Sequence, residues 1–219
     1  MKMKGVIFDF NGTLYWDTEL HYQAWDLFLE KYEIPMDESE KEDIIIGRNN
    51  EYVLDRILPG KLSREEITKF SIEKENIYQE LCLKQKLQLA DGSISLFEFL
   101  KKNKIPFTIA TGSDLHNVAF YFKYLELGRY FDMSKVIYSD GTIKSKPNPE
   151  AFIRALRVLG LKPEEVLIFE DSEPGIQAAE NMKAGNIIIV NSTNKEFTKW
   201  NHPVIKDFSE VDRSMFINT

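Results

Sequence analysis

Residues 5–13 read Gly5-Val6-Ile7-Phe8-Asp9-Phe10-Asn11-Gly12-Thr13, an apolar run that ends on a carboxylate and then turns. Valine, isoleucine and phenylalanine without polar alternation describe a strand covered on both faces. Four later runs share this character: PFTIAT at 106–111, KVIYS at 135–139, EVLIFED at 165–171 and NIIIV at 186–190. Segments with helical periodicity separate them, so the expected fold is α/β, a Rossmann-like doubly wound, mostly parallel sheet with helices on both faces.

The interval between the first run and the second holds about ninety residues with no strand signal. Within it, TELHYQAWDLFLEKY, EKEDIII, EYVLDRIL and the long segment from Arg64 to Leu87 all carry helical spacing. Ser63 followed by Glu66 predicts a capping box at the start of the last of these. The expected organisation is therefore an α/β core from residues 1–15 and 87–219, interrupted by a small helical domain at 16–86. Farther on, Asn148-Pro149-Glu150 predicts a helix start, with Pro149 in its first position, and Gly160 and Pro163 end that helix.

Composition narrows the function. The 219 residues carry 28 Lys and Arg against 35 Asp and Glu, a net charge of -7. That balance disfavours nucleic acid and membrane surfaces as partners. No apolar stretch approaches the roughly 18 to 20 residues of a membrane span, and the start does not read as a secretion signal. A cytoplasmic protein, monomer or weak dimer, acting on a small molecule is expected. Cys82 stands alone and is expected to be a half-buried structural residue.

Ligands of open parallel sheets bind beyond the carboxyl ends of the strands. The residues there are Asp9 and Asn11 after the first run, Thr111, Gly112 and Ser113 after the second, Lys146 beyond the third, and Glu170 and Asp171 after the fourth. Carboxylates from different strands repel one another unless a hard cation joins them, and Mg²⁺ is the usual partner where phosphate oxygens complete the shell. Lys146 with the hydroxyls of Thr111 and Ser113 suits a phosphoryl group, so the set points to phosphoryl transfer through an aspartyl nucleophile.

Four ordered motifs, DFNGT, TIATGS, SKPNP and FEDSEPGIQAA, resemble those of the haloacid dehalogenase superfamily of phosphohydrolases. The likeness is to the subgroup with a helical cap after the first motif, which includes β-phosphoglucomutase. It implies Asp9 as nucleophile, with Asp9, Asp171 and the main-chain carbonyl of Asn11 around Mg²⁺ and Glu170 supporting the metal directly or through water. It implies Thr111, with Gly112 and Ser113, on the phosphoryl oxygens and Lys146 neutralising the aspartyl phosphate. The substrate implied is a small phosphorylated metabolite, a sugar phosphate being the commonest in the subgroup. Arg48 and Asn50, in a loop resembling one that reaches over the site, would contact it.

Asn11 departs from the pattern, because relatives usually carry there an aspartate that serves as general acid and base, and an amide cannot shuttle that proton. Its main-chain carbonyl is unaffected. Three outcomes are open: another group replaces the acid, the substrate has a good leaving group, or the protein binds a phospho-ligand without rapid turnover. His21, at a position where β-phosphoglucomutase-like members have a histidine, is the replacement candidate. A mutase reading stays open beside the phosphatase. Phosphonate cleavage, which needs an activated cap lysine, is disfavoured because Lys31, Lys41, Lys61 and the other lysines of the insertion show no buried context. Trp16 stands where relatives commonly have Asp, with Asp17 one place later, and is expected to pack at the junction.

Overall fold

The computed structural model describes residues 2–58 and 60–216, with nothing stated for the side chains of Glu38 and Glu42. Met1 and residues 217–219, which the expected core range includes, lie outside the described residues. Six parallel strands form one sheet: β1 (Gly5–Phe8), β2 (Phe107–Asp114), β3 (Ile137–Ser139), β4 (Val166–Glu170), β5 (Asn186–Val190) and β6 (Val204–Ile205). Their spatial order is β3-β2-β1-β4-β5-β6. β1 is central, with Val6 beside Phe107 on one flank and Gly5 beside Val166 on the other. The order reverses at β1, so the crevice of a doubly wound sheet opens at its carboxyl end.

The five expected strands are present; β6 is an addition. Two residues at a sheet edge leave too short a run to stand out in sequence. In the interior, period-2 alternation sorts residues between two cores. Val6, Phe8, Leu167 and Phe169 enter one cluster, while Ile7, Val166 and Ile168 enter the other. Phe8 stacks on Phe169 at 5.2 Å and meets Phe97 and Phe208 edge-on. The first face is covered by α5 (Ser93–Lys102) and α6 (Leu115–Tyr124), the second by α7 (Glu150–Leu159) and α8 (Glu173–Asn181).

Ahead of α5, four more helices follow β1: α1 (Thr18–Lys31), α2 (Glu38–Ile45), α3 (Asn50–Ile57) and α4 (Arg64–Leu83). Trp25, Phe28, Leu29, Val53, Leu54 and Ile57 give them a buried cluster of their own. The Ser63–Glu66 capping box forms as expected, and Asp37 makes a second one on α2. At α7 the start moves by one residue: Pro149 is the N-cap and Asn148 Oδ1 accepts from Glu150 N at 3.0 Å. Gly160 ends α7 in the left-handed region at φ 68°. Cys82 is fully buried rather than half-buried, and burial pushes its thiol up to about 11. Among the described residues no helix is long and apolar enough to cross a membrane.

Candidate active site

The carboxylates of the site come from the ends of strands. Asp9 follows β1 and is buried; Glu170 ends β4 and is fully buried; Asp171 follows it, partly buried. One oxygen from each of these three carboxylates lies within 4.8 Å of the others. Lys146, also buried, reaches in from the loop before α7, donating to Asp9 Oδ1 at 2.6 Å and to Glu170 Oε1 in a second, shorter contact.

Two glycines allow this approach. A side chain at Gly175 on α8 would place its Cβ 1.8 Å from Glu170 Oε1, and one at Gly12 would stand 2.1 Å from Asp171 Oδ2. Gly12 also adopts φ 76°, a left-handed conformation that glycine takes without strain. Glu170 is fully engaged: besides Lys146 on Oε1, Oε2 accepts from Asp171 N, Ser172 N and Ser172 Oγ at 2.8–2.9 Å. Asp171 Oδ1 accepts from Thr13 Oγ1 at 3.0 Å.

The electrostatics suit a cation. Ionised together, three carboxylates against one ammonium would leave two negative charges uncompensated in a desolvated place. Burial is the largest influence on Asp9; Lys146 opposes it, Glu170 adds to it, and the carboxyl is pushed up to about 7. Burial and the neighbouring Glu170 and Asp9 push Asp171 well above the carboxylate range. Burial alone would lower Lys146, but Asp9 and Glu170 reverse that and hold it above the usual lysine range. A hard divalent cation on the Asp9 and Asp171 oxygens would supply the missing charge, so the donor set fits one.

A metal-dependent stability follows. Asp9 holds its proton up to about pH 7 in the fold, against about 3.9 in an unfolded chain. The folded state therefore binds the proton more tightly, and stability without metal falls as pH rises from about 4 to about 7. The thermal midpoint in EDTA is expected to be lower at about pH 7.5 than at about pH 5. Millimolar Mg²⁺ should raise it at the higher pH and hardly at the lower one, because the ion needs the ionised carboxylate. Equal midpoints with and without Mg²⁺ at the higher pH would contradict the metal fit.

Across the crevice, the Asn11 amide sits between two sets of partners. Its Oδ1 accepts from Ser113 Oγ at 2.7 Å and from Thr111 Oγ1 at 3.3 Å, while its Nδ2 donates to Asp17 Oδ2 at 2.6 Å and Tyr121 OH at 2.7 Å. Gly112 lies between the two hydroxyls, beside Arg48 of the insertion.

His21 on α1 enters the same network, with Nε2 3.1 Å from Asn11 Nδ2 and 3.4 Å from Asp17 Oδ2. Lys74 Nζ approaches Nδ1 at 3.2 Å. An ammonium only donates, so Nδ1 accepts and the ring carries its proton on Nε2, beside position 11. The ring also stacks on Tyr78 at 4.0 Å.

Lys74 corrects one expectation: a lysine of the insertion is buried, 1% exposed, and lines the cavity over the site. It pairs with Glu75 Oε1 at 2.7 Å, under the Trp25 ring. Burial raises Glu75, but the Lys74 charge and the hydrogen bonds from Lys74 and Asn50 outweigh it and hold Glu75 below the usual carboxylate range. Asn50 is committed to this pair, donating to Glu75 Oε1 at 2.7 Å, although it too lines the cavity. Asn117 on α6 donates to Glu75 Oε2 at 2.6 Å, joining the insertion to the core.

The loop 47–50 does two jobs. Asn49 caps α3, its side chain accepting from Tyr52 N, while Arg48 bonds the Lys146 carbonyl and lines the cavity with an Nε that has no partner. Trp16, expected to pack at the junction, is 44% exposed and donates only to the Thr13 carbonyl. Sequence reasoning missed Asp17, Tyr78, Tyr121 and Lys74, which meet only because α1, α4 and α6 bring these faces together.

Comparison with known proteins gives the family. The description "Hydrolase: haloacid dehalogenase-like hydrolase" matches residues 3–183. The chain belongs to this family. It is 32% identical over 183 residues to the phosphorylated carbohydrates phosphatase of Thermotoga maritima, covering 82% of this chain and 81% of that one. The β-phosphoglucomutase of Bacillus subtilis is 29% identical over 185 residues, covering 82% and 80%. Among solved structures, a HAD hydrolase of family IA, variant 3, from Entamoeba histolytica superposes with a TM-score of 0.85 at 36% identity, covering 97% of each chain. As a haloacid dehalogenase-like hydrolase of phosphatase kinship, the chain is an enzyme.

Proposed function

We propose that the protein is a Mg²⁺-dependent phosphatase that transfers the phosphoryl group of a small metabolite to Asp9 and then to water. The observation that carries this reading is Lys146 held between Asp9 and Glu170, with Asp171 within reach, at the carboxyl end of the central strand. Asp9, Asp171 and the Asn11 main-chain carbonyl would hold the ion, which when bound supplies positive charge against the phosphoryl oxygens. Glu170, already met by four donors, acts beyond the direct ligands by fixing Lys146 and the loop.

In this reading Asp9 attacks phosphorus, Lys146 balances charge on the transferred group, and the Thr111 and Ser113 hydroxyls turn from Asn11 to the phosphoryl oxygens. His21, whose Nε2 lies 3.1 Å from Asn11 Nδ2, is the proton-handling group that replaces an acid at position 11; it donates as the imidazolium, for which Lys74 must turn away from Nδ1. The helices between 16 and 86 act as a cap. The cavity beneath them is lined by Asp9, Asn11, Lys146 and Asp171 from one side and by His21, Arg48 and Lys74 from the other. The kinship with a phosphorylated-carbohydrate phosphatase supports a sugar phosphate as the substrate class.

Arg48 favours a second reading, the mutase, because its unpaired Nε is a donor left for a second anionic group. One panel decides: sugar monophosphates and β-glucose 1-phosphate, each with and without Mg²⁺. Metal-dependent phosphate release supports the phosphatase, conversion to glucose 6-phosphate without release supports the mutase, and neither product would refute both.

A further inference from the structure

Asp17 stands at the N-cap of α1, where an aspartate ordinarily uses its carboxylate on its own helix. It makes no such bond. The side chain is turned inward and fully buried. Oδ1 accepts from Gly12 N at 2.9 Å, and Oδ2 accepts from Asn11 Nδ2 at 2.6 Å and from Tyr78 OH, with His21 Nε2 at 3.4 Å. All four neighbours are donors.

Position 11 must therefore present a donor to Asp17 and an acceptor to Ser113 and Thr111. An amide does both, and only one way round, since turning it would set Oδ1 against the buried carboxylate. An aspartate at 11 would set a second carboxylate oxygen about 2.6 Å from Asp17 Oδ2 with no water to separate them.

We propose that Asn11 and Asp17 are a matched pair, in which Asp17 is the positioning residue that dictates an amide at 11 and holds its oxygen toward Thr111 and Ser113. The inference rests on the phosphatase reading for its kinetic consequence. Asn11 is then an adaptation to its neighbour, and the oriented Oδ1 aligns the hydroxyl or water that approaches it. The carboxylate beside its Nδ2 strengthens that acceptor.

The test compares Asn11→Asp, Asp17→Asn and the double variant with the wild type, by thermal midpoint and by turnover of phenyl phosphate, a poor leaving group, with Mg²⁺. Asn11→Asp alone is expected to lower the midpoint by about 5 °C or more and to give no faster turnover than wild type. Asp17→Asn alone frees the amide to rotate and should lower kcat with little change in KM. The double variant should recover to within about 2 °C of wild type and exceed Asn11→Asp in kcat by about tenfold or more.

An Asn11→Asp protein as stable as wild type and faster would overturn the pairing. So would a folded double variant no better than Asn11→Asp alone. If the stability pattern appears while no variant, nor the wild type, releases phosphate from any ester, the pairing stands and the phosphatase reading falls.

Discussion

Replacing Asp9 by asparagine is expected to reduce phosphate release by roughly 10⁴-fold or more, the scale seen when a covalent nucleophile is removed. The amide keeps the volume and can still face Lys146, so the protein should remain folded. In the proposed mechanism it loses the oxygen nucleophile and a charged metal ligand together. The Mg²⁺-dependent rise in thermal midpoint should shrink with it, measured on the same sample as the steady-state rate. A variant retaining even a tenth of wild-type turnover would place the nucleophile elsewhere.

Lys146→Ala carries the second large effect, on stability as well as rate. Lys146 is the cation between two buried carboxylates, and the Glu170 side chain is fully excluded from solvent. Breaking a buried pair by removing one partner typically costs about 3–5 kcal/mol, because a charge stays behind uncompensated. For a chain of this size that corresponds to a midpoint lower by about 6–20 °C. The loss should be largest in EDTA above about pH 7, where Asp9 also ionises, and smaller in Mg²⁺, which restores positive charge beside Asp9. A Lys146→Ala protein as stable as wild type in EDTA would mean that the carboxylates are relieved in some other way.

The central sheet was legible because its strands are covered on both faces. Val6-Ile7-Phe8 and Leu167-Ile168-Phe169 leave no alternation for a helix or an exposed strand to explain, and they sit side by side in register. Asp9, Thr111, Glu170 and Asp171 were legible for a related reason: each follows such a run directly, so the strand ends place them without any knowledge of side-chain packing. Lys146 was placed the same way, a few residues beyond the third run, and its loop carries it back to Asp9 and Glu170.

The remainder depends on which faces of the inserted helices meet, and sequence spacing alone does not give that. Lys74 reads as one charge among many on a polar helix, yet it lies under Trp25 and against His21 because α4 crosses α1 there. Asp17 reads as an ordinary N-cap, and its inward turn becomes visible only with Gly12, Asn11 and Tyr78 around it. Tyr121 reads as one aromatic among several on α6, yet it is buried and its hydroxyl accepts from Asn11 Nδ2. The amide at 11 is intelligible only with these partners in view.

The account turns on a covalent phosphoryl group on Asp9, and trapping it is the most direct measurement. Wild-type protein mixed with acetyl phosphate and Mg²⁺, quenched in acid within milliseconds and digested, should yield the peptide containing Asp9 heavier by one phosphoryl group. Asp9→Asn protein should yield none. Phosphate released in that single turnover with no label on the Asp9 peptide at any quench time would contradict the account.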